Sequence, residues 1–257
     1  IIAAFQAVFP ETKGIYEKFR YQRKDGLISR YVRGDAAPTP LIVKENGINY
    51  ATYLDDGLMT GIFLDQRDVR GALTERYAAG KRVLNTFSYT GAFSVAAAMG
   101  GAIETTSVDV ANRSLERTKE QFAVNNLDGD AQKIYVMDVF DFIRYAIRKK
   151  LQYDVTIIDP PSFARTKKRT FSVTKDYTQL LEELIQITAP DGTLIVSSNA
   201  ANYKEKNFKQ DIDQAFKNSH CDYRILETFH LPSDFAVPAG SKTSDYLKVF
   251  IIKKLAR

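Results

Sequence analysis

The chain has 257 residues, 44% hydrophobic and 26% charged, a length that suits one large domain or one domain with a small appendage and a balance that excludes a disordered chain. Its 36 lysines and arginines against 31 aspartates and glutamates leave a net charge of +5, mild but favouring an anionic partner. The single cysteine, Cys221, excludes an internal disulfide framework, and with only two histidines, His220 and His230, no metal site is expected; no apolar run reaches the roughly 18 residues of a membrane span.

The chain opens Ile1-Ile2-Ala3-Ala4-Phe5, which lacks the shape of a secretory signal and reads as the interior of a helix. Further residues upstream are therefore expected, and the lone thiol points to the cytoplasm. Residues 1–58 predict a small β-rich module. A short apolar helix ends at Pro10, and strand-like runs follow at 15–20, 41–43 and 48–54, punctuated by Gly26, Gly34, Gly47, Gly57 and Pro38-Thr39-Pro40. From residue 59 helix and strand patterns alternate. Helices are expected over 66–78, 91–99, 112–126, 140–149, 175–189 and 207–218, and strands over 82–87, 103–109, 133–137, 153–159 and 193–197. Strand-like runs at 223–230 and 246–252 close the chain with no helix between them, so they are expected to pair antiparallel at the sheet edge. Strands separated by helices in this way predict an α/β domain with a mostly parallel sheet covered on both faces.

Ligands of such sheets bind outside the C-terminal strand ends. The first end reads Phe87-Ser88-Tyr89-Thr90-Gly91 and leads into a helix, whose N-terminal N–H groups suit an anion. Asp109 ends the second strand, about 20 residues on, where a carboxylate suits ribose hydroxyls. Asp138, followed by Val139, ends the third and could accept from an exocyclic amine. The glycine-rich fingerprint of a dinucleotide site is missing, because the first turn holds one glycine, Gly91. A cofactor with an amino-acid end and no phosphate needs less glycine, which fits S-adenosylmethionine. The fourth end, Asp159-Pro160-Pro161-Ser162-Phe163, offers a carboxylate, a rigid backbone and an aromatic ring that can stack on a planar base. Arg165, Lys167, Lys168 and Arg169 follow and suit phosphate contacts.

Three motifs then carry a resemblance: Gly61-Ile62-Phe63-Leu64-Asp65-Gln66-Arg67-Asp68-Val69-Arg70, Asn85-Thr86-Phe87-Ser88-Tyr89-Thr90-Gly91-Ala92-Phe93 and Asp159-Pro160-Pro161-Ser162-Phe163. With these in this order, residues 59–257, and more loosely 1–58, resemble bacterial class I S-adenosylmethionine-dependent methyltransferases of large-subunit ribosomal RNA. The resemblance implies a Rossmann-like fold with a seven-stranded, mostly parallel sheet and an antiparallel edge strand. Residues 1–58 would then be a small substrate-binding middle domain, preceded in the family by an RNA-binding domain of the PUA type, and residues 59–257 the methyltransferase domain. Phe63, Gln66, Arg67 and Arg70 are implied to close over the cofactor, with Asp109 on its ribose and Asp138 on its adenine. S-adenosylhomocysteine would be the product and ribosomal RNA the partner, with no membrane and with a homodimer left open.

The family divides by target atom. Its cytosine-C5 branch carries a cysteine at the end of the fifth strand, because C5 attacks only after a thiolate has added to the ring. This chain has Val196-Ser197-Ser198-Asn199 there, and Cys221 is expected to be structural. The guanine-N7 branch resembles this chain in the Asp-Pro-Pro-x-Phe run with basic residues behind it, in Ser-Asn at the fifth strand end and in Ser233-Asp234-Phe235. N7 attacks directly with its lone pair, so positioning suffices. Guanine N7 is therefore the preferred target, with Asp159 or Asn199 reading the base and Phe163 stacking on it. Cytosine C5 is the alternative; a small-molecule or protein methyltransferase and a non-catalytic RNA-binding relative come after it.

Overall fold

The computed structural model describes residues 1–129, 131–165, 169–238, 241 and 244–255. It divides into two compact units, Ile1–Ile62 and Phe63–Arg257. The division falls a few residues after the expected 58/59, because the intervening turn still bonds into the small unit. Tyr53 N–H donates to Thr60 O at 2.7 Å, and Gly61, at φ +116, lies where a Cβ would stand 2.8 Å from Ala51 O.

In the small unit, helix α1 (Ile2–Val8) buries none of its residues. Strands β1 (Gly14–Lys18) and β2 (Ser29–Gly34) pair antiparallel, as do β3 (Leu41–Glu45) and β4 (Ile48–Thr52). The second hairpin closes through Asn46-Gly47 at φ 50 and 80, the left-handed pair whose twist matches a tight hairpin. The sequence pattern does not reveal β2, whose Ser-Arg-Tyr-Val-Arg-Gly run is mostly exposed and polar. Phe19, Ile48, Tyr50, Ala51, Tyr53 and Ile62 form the unit's buried core, and Arg23 covers Phe19 at 4.3 Å from the ring centroid.

The large unit opens on one continuous helical run. A 3-10 turn at Leu64–Gln66 leads into α2 (Arg67–Ala72) and then a π-helical turn at Leu73–Tyr77, where the periodicity predicts a plain helix. Next come β5 (Arg82–Thr86), α3 (Ala92–Met99), β6 (Glu104–Asp109), α4 (Ser114–Ala123), β7 (Gln132–Val136), α5 (Val139–Arg148) and β8 (Tyr153–Ile158). The stretch after β8, where the sequence pattern marks no strand before the helix expected at 175, contains a β-hairpin, β9 (Phe163–Arg165) with β10 (Thr170–Ser172). Then follow α6 (Val173–Ile187), β11 (Thr188–Ser198), α7 (Glu205–Asn218), β12 (Asp222–Phe229) and β13 (Lys248–Leu255).

Seven strands form one sheet in the order β12-β13-β11-β8-β5-β6-β7. Pairing is parallel from β11 through β7, while β13 runs antiparallel to both β11 and β12. Helices α2, α3 and α4 pack together, as do α5, α6 and α7, as expected of a sheet covered on both faces. The central strands are accordingly buried along nearly their whole length, β8 reading Tyr-Asp-Val-Thr-Ile-Ile with one half-buried position. Helix α6 buries Val173, Tyr177, Leu180, Leu181, Leu184, Ile185 and Ile187, the spacing of a single apolar face. The chain enters the sheet at β5, winds outward to β7 and returns to β8 beside β5. The C-terminal ends of β5 and β8 therefore flank the point where winding reverses, which is where such sheets bind ligands. Among the described residues no helix is long and apolar enough to cross a membrane.

Candidate functional site

The turn after β5 is built on left-handed backbone. Phe87, Tyr89 and Gly91 have φ of 55, 52 and 79, conformations that cost a non-glycine residue about 1 kcal/mol or more. Ser88 N–H donates to Val108 O at 3.0 Å and Gly91 N–H to Ser88 O at 2.7 Å. Tyr89 N–H donates to Asp109 Oδ2 at 2.8 Å, and Ala111 N–H to Asp109 Oδ1 at 2.9 Å. Asp109 thus ties the β5 turn to the end of β6. Its burial raises the carboxyl above the ordinary range, and those two N–H groups oppose the rise. Beneath the turn, Asn85 Nδ2 donates to Ser94 Oγ at 3.0 Å, and Ser94 Oγ bonds Ser107 Oγ at 2.7 Å. This buried chain fixes α3 against β5 and β6, so its N-terminus opens at the strand ends. At Gly91 a Cβ would stand 2.6 Å from Thr118 Cγ2, so α3 and α4 approach too closely there for any side chain. Asp138 caps α5, accepting from Phe140 N–H at 3.0 Å, and Val139 is buried as the first residue of that helix.

At the end of β8, half-buried Asp159 collects two donors on one oxygen. Gln66 Nε2 donates to Oδ1 at 3.3 Å, and Ser197 Oγ donates to the same atom. Burial pushes the Asp159 carboxyl up to about 6, the Asp65 charge adds to the rise, and Ser197, Arg70 and Gln66 oppose it. Behind it, buried Tyr177 donates from its hydroxyl to Ser197 O at 3.0 Å. Pro160 is buried and Pro161 exposed. Ser162 Oγ donates to Asn199 Oδ1 at 2.8 Å, joining the ends of β8 and β11. Phe163 is 61% exposed, open for stacking. Ser197, Tyr177 and Ser162 were not singled out from the sequence: Ser197 reads as a small residue in an apolar strand, Tyr177 as a tyrosine on a helix face, and Ser162 as a spacer within the Asp-Pro-Pro-Ser-Phe motif.

The segment at 63–70 lines the same region. Phe63 packs on Tyr89 with ring centroids 5.4 Å apart. Arg70 is buried; its guanidinium donates to Phe63 O at 2.8 Å and lies 5.6 Å from the Phe93 ring centroid. Arg67 forms a two-pronged pair with Asp234, at 2.9 and 2.7 Å, so the Ser233-Asp234-Phe235 element meets this segment. Tyr246 Oη donates to Asp65 Oδ2 at 2.9 Å, a pairing that no local pattern announces. Of the basic run, Arg165 is exposed on β9. Arg169, expected against phosphate, holds its guanidinium 3.9 Å from the Phe140 ring centroid. Lys167 and Lys168 lie outside the described residues.

The remaining valences suit a nucleoside with an amino-acid arm. Gln66 Oε1 and Asp65 Oδ1 are buried acceptors without a hydrogen-bond partner; such groups are costly unless something donates to them, and an ammonium does so. With Asp109 and Asp138 at the neighbouring strand ends and no phosphate-cradling glycine run, this set of acceptors fits S-adenosylmethionine. Among the described residues no group of three or more histidine, cysteine, aspartate or glutamate side chains could hold a metal ion.

A sheet wound in this order, reversing between β5 and β8 over a turn with one glycine, defines a Rossmann-like protein of the class I methyltransferase type. The family model for S-adenosylmethionine-dependent methyltransferases matches residues 7–241, and the chain belongs to that family. It is 53% identical over 256 residues to the protein named "Putative ribosomal RNA large subunit methyltransferase YwbD" of Bacillus subtilis (strain 168); the match covers 99% of this chain and 65% of that protein. Ribosomal RNA large subunit methyltransferase I of Aeromonas salmonicida is 31% identical, over 98% of this chain and 64% of its own length. The crystal structure of SMU.776 complexed with SAH superposes with a TM-score of 0.92 at 50% identity, covering 98% of this chain and 64% of that one. The chain thus spans just under two thirds of these relatives.

Proposed function

We propose that the complete protein methylates large-subunit ribosomal RNA at guanine N7, with S-adenosylmethionine as donor and residues 63–257 as its catalytic part. The names of the relatives support the RNA substrate. The observation that carries the choice of atom is Asn199 at the end of β11, where the cytosine-C5 branch needs a thiolate. Cys221, the chain's one cysteine, precedes β12, which runs parallel to β11, so it lies at the opposite end of the sheet.

S-adenosylmethionine, when bound, supplies an electrophilic methyl carbon. Gln66 and Asp65 would accept from its amino-acid arm, Asp109 would hold the ribose and Asp138 the adenine, with Phe63, Tyr89, Arg67 and Arg70 around them. Asp159 and Asn199 need only orient a base whose N7 lone pair loses no proton on methylation, so neither covalent catalysis nor a strong base is required. Phe163 offers a ring for stacking, a contact worth about 1–3 kcal/mol per base, and Arg165 a guanidinium for the phosphate backbone. The small unit is read as a substrate-holding module; its exposed Arg20, Tyr21 and Lys24 suit a nucleic acid strand.

The test uses the full-length protein, labelled S-adenosylmethionine and ribosomal RNA from a strain lacking the gene, with the labelled nucleoside identified by mass. Labelled 7-methylguanosine is expected. Labelled 5-methylcytidine would overturn the reading of Asn199, and label in no RNA would overturn the substrate.

A further inference from the structure

We propose that Ser162 sets which base the site accepts, by holding the Asn199 amide with its nitrogen turned outward as a donor. This rests on the reading above, in which Asn199 and Asp159 face the target base.

Both partners stand on pinned backbone. Ser162 follows Pro160-Pro161, its carbonyl accepts from Val173 N–H at 3.1 Å where α6 begins, and its neighbour Phe163 pairs with Ser172 across the β9–β10 hairpin. Asn199 lies between Ser198, paired with Lys248 of β13, and Ala200, whose carbonyl accepts from the buried Lys248 Nζ at 2.8 Å. Lys248 Nζ donates equally to Tyr203 O at 2.8 Å, so the turn after β11 is held from beneath. Between these two anchors runs the 2.8 Å bond from Ser162 Oγ to Asn199 Oδ1. A primary amide whose oxygen is engaged in this way presents its NH2 group, and Asn199 is exposed. On the adjacent strand end, Asp159 gathers Gln66 and Ser197 on Oδ1, leaving Oδ2 as an acceptor.

The neighbouring ends of β8 and β11 therefore offer one donor and one acceptor of assigned polarity. Guanine carries an acceptor at position 6, next to N7, and donors at N1 and the 2-amine. A base with an amine at position 6 sets donor against donor, and once the bound base covers Asn199 from water that mismatch discriminates strongly. Without the Ser162 hydroxyl the Asn199 amide can turn over and meet either group. Ser162 is in this sense a positioning residue that acts through Asn199.

The experiment uses target-site transcripts carrying guanine, hypoxanthine or 2,6-diaminopurine at the methylated position. All three keep N7; hypoxanthine keeps the 6-oxygen, and diaminopurine replaces it with an amine. The full-length wild type is expected to methylate the first two and to disfavour diaminopurine by about tenfold or more in kcat/KM. In Ser162→Ala that ratio is expected to fall by about fivefold or more, in Ser162→Thr to return, and S-adenosylhomocysteine affinity by calorimetry to stay unchanged in both. A Ser162→Ala enzyme that makes 7-methylguanosine with the wild-type ratio overturns this inference alone, as does a ratio lost equally in Ser162→Thr. A wild type that makes no 7-methylguanosine overturns the guanine-N7 reading and this inference with it.

Discussion

Asp159 holds a proton to a higher pH than an ordinary carboxyl, up to about 6, because burial outweighs the bonds from Ser197 and Gln66. In the unfolded chain it ionises near 3.8. Between those values the folded protein binds a proton that the unfolded chain has released. The resulting stabilisation is full below the unfolded value and is lost as pH rises through the folded one. Wild type should therefore lose stability between pH 5 and pH 7 relative to Asp159→Asn, by on the order of 1 kcal/mol, measured from urea midpoints at the two pH values. Parallel pH dependence in the two proteins would mean that Asp159 ionises normally. The sequence marks this aspartate clearly, since Asp-Pro-Pro closes an apolar strand. It conceals Ser197, which sits 38 positions away and reads as any small residue in β11.

The element that most limits substitution is the β5–α3 turn. Gly91 is required twice over, by its φ of 79 and by Thr118, whose Cγ2 would lie 2.6 Å from an added Cβ. Gly91→Ala should destabilise the protein by about 2–3 kcal/mol. Adding Thr118→Ser removes the clashing methyl and should recover the packing part of the loss but not the backbone part. Thermal or urea unfolding of the two single variants and the double variant separates these parts; no recovery would show that backbone strain is the whole cost. The need for a glycine here was legible, because a strand running into a helix with one intervening glycine has few conformations. The clash partner was not, because Thr118 belongs to another helix. The hairpin β9–β10 teaches the same at element scale. Its charges suggest a solvated, phosphate-facing run, yet Phe171 is buried in the core and packs 5.9 Å from Phe140, over which Arg169 lies.

Across the whole molecule, the C-terminal stretch returns to the segment that follows the small unit. Arg67 and Asp234 pair across 167 positions and Asp65 and Tyr246 across 181. If this pairing holds Arg67 ready for the cofactor, Arg67→Ala and Asp234→Ala should each weaken S-adenosylhomocysteine binding severalfold, and the double variant no further. Titration calorimetry on the four proteins of that cycle decides it, and additive losses would show two independent contributions.

Periodicity and punctuation were enough to determine the alternating α/β pattern, the order of strand ends and the aspartates that close them, because each depends on neighbours a few positions apart. The family was legible by a different route, as a resemblance carried by three short motifs in one order. The tertiary structure alone decided that Asp109 meets Tyr89 and that Asp159 meets Gln66 and Ser197, that Arg169 rests on an aromatic ring, and that Ser162 holds Asn199. Each of those contacts joins residues distant in the chain, and only the winding of the sheet brings their strand ends to a common edge.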